Sequence, residues 1–458
     1  MKIRTGILAG ILLPAFFLTG CYKDIGNYDY ISINEIEIET DAPQTISLLQ
    51  FDTLRIKITG LNESLTAPDG YSYSWTLYEN VSAPTTRRLI GTEKNLEAKI
   101  TEPAGAYMLD LFVTDNHTQV GVAKRFKVNV TSKYNEGWLV LDEKSGVSDL
   151  SLINVNGINY YDIYSDANGG SPLPAGAFRV NVVRDRLNTI KVIVMDPSGA
   201  QQLNAADLLK VAELDDWFWA SPEDRKPQNY FVEYADEVLI NNGKPYGLTT
   251  FVPPPYKFGL APYGDYTVAP YKLYDSRSGY VFYNETEQCF LKLTLPSTFT
   301  AFSSQPDEAP FDVRNIGKKL LFAGINTGSQ HICLFKNNTD DSTFVYMLNL
   351  GVSSSQTPAV SKTFIKAGEA PGLLTASGFV PSRLLPHLYY TSGSDIYLLD
   401  IPAEKARKVY SFPAGTQVTA AEMYYNSKNT TDPDNYRLIA VATQEAGEGK
   451  VYFFPIDA

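Results

Sequence analysis

The chain has 458 residues, of which 12% are aromatic and 20% charged, with 30 Tyr and 23 Phe. That composition excludes an intrinsically disordered chain, and the length allows two or three domains. A formal net charge of -12 excludes binding to nucleic acid or to anionic lipid headgroups through a basic face.

The first residues carry two cations, Lys2 and Arg4, followed by an apolar run from Ile7 to Leu18. The run is too short to span a bilayer and reads as the core of a secretory signal over residues 1–20. It ends in Leu18-Thr19-Gly20-Cys21. A cysteine directly after the cleavage point turns a secretory signal into a bacterial lipoprotein signal, with Cys21 as the lipidated residue. Each acyl chain contributes ~0.8 kcal/mol per buried CH₂, so the lipid itself supplies the membrane attachment. Removing residues 1–20 takes away Lys2 and Arg4 and no acidic residue, which leaves the mature chain more acidic still.

Residues 21–32 are polar and read as a tether. Period-two alternation begins at about residue 33: Ile36 and Ile38 between glutamates, Leu54, Ile56 and Ile58 between polar residues, and later Phe126, Val128 and Val130. This pattern predicts half-buried strands of an antiparallel sandwich over 33–132, with Trp75 as a core plug. A polar hinge at 131–136 separates it from the remainder. From Gly137 onward the chain repeats an apolar run, a turn and a second apolar run, around 137–153, 178–195, 230–240, 280–295, 320–335, 388–399 and 438–454. The starts advance by about fifty residues, the spacing of four-stranded propeller blades, which predicts a β-propeller of about seven blades over 136–458. The whole is read as all-β. One helix is expected, Ala205 to Leu214 capped by Asn204, with Leu208, Val211 and Ala212 on one face.

No catalytic motif is present. The three histidines, His117, His331 and His387, lie outside any HExxH sequence, and no G-x-S-x-G, P-loop or G-x-G-x-x-G occurs. No catalytic residue is assigned and no cofactor is expected beyond the lipid. Two stretches cluster oxygen ligands suited to calcium, Asp166 with Asn168 and Asp432 with Asp434, and both also fit polar turns. Cys289 and Cys333 stand in apolar strand contexts, as buried thiols or a disulfide. The segment 251–283 is rich in Pro and Tyr and follows Trp217-Phe218-Trp219. Trp217, Trp219, Tyr256, Tyr263, Tyr266, Tyr271 and Tyr274 are the candidate ligand- or partner-binding residues. Tyrosine offers a flat apolar face and a hydroxyl at low entropic cost.

The start of the mature chain, Cys21-Tyr22-Lys23-Asp24 followed by Gly26-Asn27-Tyr28-Asp29-Tyr30, resembles the PKD-like lipoproteins of Bacteroidota. The segment with Gly105, Tyr107, Leu111, Val113, Thr114 and Asp115 is similar to the strand pair of PKD and other Ig-like domains, although the W-D-F-G-D-G motif is absent. The resemblance implies a PKD/Ig-like spacer and a lipid-anchored protein of the outer membrane that faces the cell surface. It also implies a non-enzymatic accessory role beside a SusC-like TonB-dependent transporter and a SusD-like lipoprotein, taking up peptide or oligosaccharide. Two rival expectations are a propeller-type glycan lyase or hydrolase, which needs a carboxylate-lined funnel at the axis, and a purely architectural subunit.

Overall fold

A computed structural model of the chain describes residues 33–456 other than 85, 133, 135, 155, 156, 354, 355 and 427–429. The signal 1–20, the lipidation site Cys21 and the tether 21–32 lie outside the described residues. The chain divides into a unit ending at Ser132 and a second unit after it.

In the first unit, strands Thr45–Leu49, Gly121–Thr131, Gly105–Asp115, Tyr71–Glu79 and Arg87–Gly91 form one sheet in that spatial order. Only the first of these pairings is parallel. Two further pairs, Ile36–Thr40 with Ile58–Glu63 and Thr53–Ile56 with Leu96–Lys99, complete the unit. The alternation read from the sequence becomes burial: Ile36, Ile38, Leu54, Ile56, Phe126, Val128 and Val130 all point into one core with Trp75. Trp75 is fully buried, its ring stacks on Phe126 at 6.3 Å, and its Nε1 donates to the Glu93 carbonyl at 3.0 Å. Burying an indole while satisfying its single donor captures its apolar area without an orphaned N–H. The Tyr107 hydroxyl donates to the Pro103 carbonyl at 2.8 Å and pins the start of its strand.

Among the described residues the second unit is a succession of seven antiparallel sheets, each built from strands consecutive in the chain. Their first strands are Gly137–Lys144, Arg179–Arg184, Pro227–Glu233, Leu273–Asp275, Lys319–Ile325, Gly378–Pro381 and Gln417–Met423. Sheets two, four, five and six have four strands; sheets one, three and seven have three. First strands of successive sheets lie against one another, including those of sheets one and two, two and three, and four through seven. Polar side chains stitch the row. Asn181 Nδ2 donates to Asn229 Oδ1 at 2.9 Å and to the Tyr230 carbonyl at 2.8 Å, and Asn229 Nδ2 donates to the Pro270 carbonyl at 3.1 Å. Between sheets two and three, Lys191 Nζ donates to both oxygens of Glu237, at 2.7 and 2.9 Å. Glu237 is 1% exposed and also accepts the Tyr230 hydroxyl, so this buried carboxylate is paired and hydrogen-bonded rather than bare.

The two ends of the row meet. Trp138, on the first strand of sheet one, packs its ring 5.6 Å from Tyr424 and 5.4 Å from Phe453 of sheet seven. The residue before it is Gly137, whose φ of 141° is closed to L side chains, and a Cβ there would stand 2.3 Å from the Ile153 carbonyl oxygen. Glycine therefore lets the strand start flush against its neighbour, with Trp138 next in line.

The helix expected from Ala205 to Leu214 does not form. Asn204 closes an Asx turn, its Oδ1 accepting the Ala206 N–H at 2.9 Å, and Asp207 does the same for Leu209 at 3.1 Å. Leu208 takes φ 59° and is buried, and Lys210–Glu213 then returns as the outer strand of sheet two. A ten-residue helix carries little intrinsic stability, and ladder bonds plus burial of Leu208 outweigh it. A short helix does occur at Ile163–Ala167, with Ile163 and Tyr164 buried beside sheet one.

Replacing Trp138 by Ala should lower the unfolding free energy of the second unit by about 2–4 kcal/mol, as loss of a packed aromatic does. Urea unfolding checks this, and a change below about 0.5 kcal/mol would mean that sheets one and seven do not support each other.

Candidate binding site

The aromatic stretch does not fold as one binding loop. Trp217 and Tyr266 are core residues, 8% and 5% exposed. The Trp217 ring packs edge-on to Tyr230 at 5.6 Å, and the Tyr266 hydroxyl donates to the Pro262 carbonyl at 2.7 Å. Tyr256 is half-buried against the core that holds Phe218 and Phe258. Tyr274 is half-buried and packs on Tyr280 at 5.1 Å. Only Trp219 and Tyr263 among the seven candidates are exposed. The reason is that sheet three lacks a fourth strand, and the 250–272 connection supplies apolar side chains to its core instead.

Tyr271 has a different fate. It precedes the first strand of sheet four, its hydroxyl donates to the Leu321 carbonyl of sheet five at 2.7 Å, and its ring meets Phe322 edge-on at 5.6 Å. Phe322 in turn stacks on Phe379 of sheet six at 5.2 Å. Three half-buried rings thus run across the first strands of sheets four, five and six. Facing the same region are two charged residues that sequence reasoning missed, Arg179 on the first strand of sheet two and Glu422 on that of sheet seven. Arg179 is in electrostatic reach of both Glu422 and Tyr271. Arg179, Glu422 and Tyr271 thus come near one another, although sheets two, four and seven are not neighbours in the chain. Both charged side chains contact solvent, yet protein surrounds them closely. Desolvation accordingly pushes the Glu422 carboxyl above the usual range and the Arg179 guanidinium below its own, each partly offset by the other's charge. No sequence motif marks either residue; the only available signal was a charge at the start or end of an inner strand.

The other candidates serve structure. Asn168 Nδ2 donates to the Tyr164 and Leu208 carbonyls at 2.9 and 3.0 Å, and its Oδ1 accepts the Lys210 N–H at 3.0 Å, while Asp166 is exposed on the short helix. Asp432 accepts the Tyr424 hydroxyl, Asn426 Nδ2 and the Asp434 N–H, each at 3.0 Å. Among the described residues no group of three His, Cys, Asp or Glu is arranged to hold a metal. Cys289 and Cys333 are free and buried. Burial, with Glu287 second, pushes the Cys289 thiol up to about 11, and burial pushes Cys333 higher still.

Residues 21–173 match the model of the PKD-like family. The match covers all described residues of the first unit and runs through the first sheet of the second. No curated protein matches the chain. Among solved structures, a quinonprotein alcohol dehydrogenase-like protein from Bacteroides thetaiotaomicron is similar over 90% of this chain and 92% of its own, at 14% identity and a TM-score of 0.44. A chain of the mitotic checkpoint complex is similar over 77% of this chain and 84% of its own, at 10% identity and a TM-score of 0.38. The WD40 domain of SCAP from fission yeast is similar over 61% of this chain and 66% of its own, at 9% identity and a TM-score of 0.33. These neighbours are WD40- and propeller-like folds.

His331 is 2% exposed; its Nε2 accepts the Tyr274 N–H at 3.2 Å, and its Nδ1 has no partner among the described residues. Desolvation lowers its pKa from 6.5 to about 4. A neutral imidazole is thus favoured by folding, and this contribution is present above pH 6.5 and lost as pH falls toward 4. It amounts to about 3 kcal/mol. His331→Gln should flatten the stability profile over that window in urea titrations at stepped pH. An unchanged profile would show that His331 is not the group responsible.

Proposed function

We propose that the protein is a non-enzymatic, lipid-anchored binding subunit at the outer-membrane surface, accessory to a SusC/SusD-like uptake complex. Cys21 would carry the lipid, the PKD-like unit would act as a spacer, and the seven sheets would be the blades of a β-propeller whose axis receives an oligopeptide. The observation that carries this reading is the convergence of Arg179, Glu422 and the Tyr271–Phe322–Phe379 rings from five different sheets. An arginine and a glutamate facing one narrow space complement a ligand bearing both charges, while the rings offer stacking faces to its side chains. A peptide carries both charges; a neutral glycan carries neither. The charged group within electrostatic reach of Glu422 is an arginine rather than a second carboxylate, which favours binding over the paired acid chemistry of a glycosidase. The accessory role rests on the lipoprotein signal and on the PKD-like match, since a lipid tether leaves the acidic surface free of the membrane.

The test is binding of the purified chain to arrays of oligopeptides and oligosaccharides, followed by affinity measurements. Peptides should bind, and Arg179→Ala or Glu422→Gln should weaken binding by about tenfold or more. Selective retention of glycans, or peptide binding indifferent to both substitutions, would contradict the axial reading.

A further inference from the structure

A second surface stands apart from the axial residues, at the hairpin turns of sheets two and three. The turn after Arg179–Arg184 is held from inside by Asp185, whose Oδ1 accepts the Leu187 and Thr189 N–H groups at 2.8 and 2.9 Å. The next residue, Arg186, bolts this turn to sheet three. Its N–H donates to the Tyr234 carbonyl at 2.9 Å, its Nε donates to Thr250 Oγ1 at 2.9 Å, and Nη2 donates to the Thr250 carbonyl. Thr250 is 1% exposed and passes the network on to the Ala235 carbonyl, through its N–H at 2.7 Å and its hydroxyl at 3.1 Å. On this rigid base stand four large apolar side chains in the open: Leu187, Tyr234, Phe251 and Val252, between 52% and 67% exposed. The Tyr234 and Phe251 rings lie 6.0 Å apart, and the Arg186 guanidinium sits 5.1 Å from the Phe251 ring centre.

Exposed apolar residues scattered singly are ordinary, but a contiguous set with aromatic and arginine members on a hydrogen-bonded platform has the composition of an interface centre. The guanidinium decides the kind of partner. Its acceptors are the neutral oxygens of Thr250, and among the described residues no carboxylate is in ion-pair contact with it. Its charge is thus uncompensated at the middle of an apolar patch. We propose that this platform docks a protein segment presenting a carboxylate flanked by apolar side chains, with the carboxylate on Arg186 and the apolar groups against Phe251, Tyr234 and Leu187. Desolvation by those groups would strengthen the charge-assisted bond at the centre. The surface is distinct from the axial site and does not depend on it.

The experiment is selection of a random-peptide phage library on the full-length chain, then titration of the enriched peptides as synthetic, labelled ligands. The expected result is enrichment of sequences with Asp or Glu between large apolar residues. Phe251→Ala and Arg186→Ala should each weaken binding by about tenfold or more, and replacing the peptide carboxylate by its amide should do the same. The Phe251 side chain makes no hydrogen bond, so its variant reads docking with the hydrogen-bonded base intact, and Leu260→Ala, another exposed residue, should leave binding unchanged. Enrichment of peptides without a carboxylate, peptides indifferent to Phe251 and Arg186, or no enrichment with self-association of the chain abolished by Phe251→Ala would each overturn the proposal.

Discussion

The packing of Trp138 against Tyr424 and Phe453 is the contact on which the second unit depends. A twisted sheet of three or four strands buries its faces only against other sheets. Each inner sheet has a neighbour on both sides by virtue of chain order, but the first and seventh do not. Trp138 gives each of them the other. Gly137 lets the strand that carries Trp138 pair closely with its neighbour in sheet one, and Tyr424 and Phe453 supply the receiving surface. With the two ends joined, Arg179, Glu422 and Tyr271 come within electrostatic reach. The candidate ligand site is thus a consequence of the same contact that completes the packing.

Tyrosine does much of the remaining work, and it does so as a two-ended residue. Tyr280 and Tyr390 bury their rings and the half-buried Tyr271 packs its ring against a core, and each sends its hydroxyl to a backbone carbonyl, those of Asp236, Pro371 and Leu321 in turn. Tyr230 reaches the buried Glu237 instead. Each ring contributes apolar area, and each hydroxyl finds an acceptor, a backbone carbonyl for the first three and a carboxylate for Tyr230. This explains why so aromatic a chain exposes so few tyrosines, and why the stretch 251–283 divides between core and surface.

The strands were more legible than the site. The seven apolar hairpins correspond one by one to the seven sheets, because central strands carry unbroken apolar runs. In sheets four, six and seven the legible hairpin is the second and third strands. Their first strands, Leu273–Asp275, Gly378–Pro381 and Gln417–Met423, are short or carry exposed polar residues, so no periodicity marks them. Glu422 lies on one of them, which is why it was invisible from sequence. The helix at 205–214 failed for the opposite reason: its apolar spacing was present, but Asn204 and Asp207 direct their side chains to the local backbone and turn the chain. Phe251, Tyr234 and Arg186 lie in three separate segments, and only the fold brings them together.

The central claim is that this chain works as a subunit beside a transporter. It is tested most directly by purifying the tagged, lipidated protein from native outer membranes in mild detergent and identifying what accompanies it. The account predicts a TonB-dependent barrel and its SusD-like lipoprotein in stoichiometric amount. Recovery of the chain alone from an intact membrane fraction would contradict it.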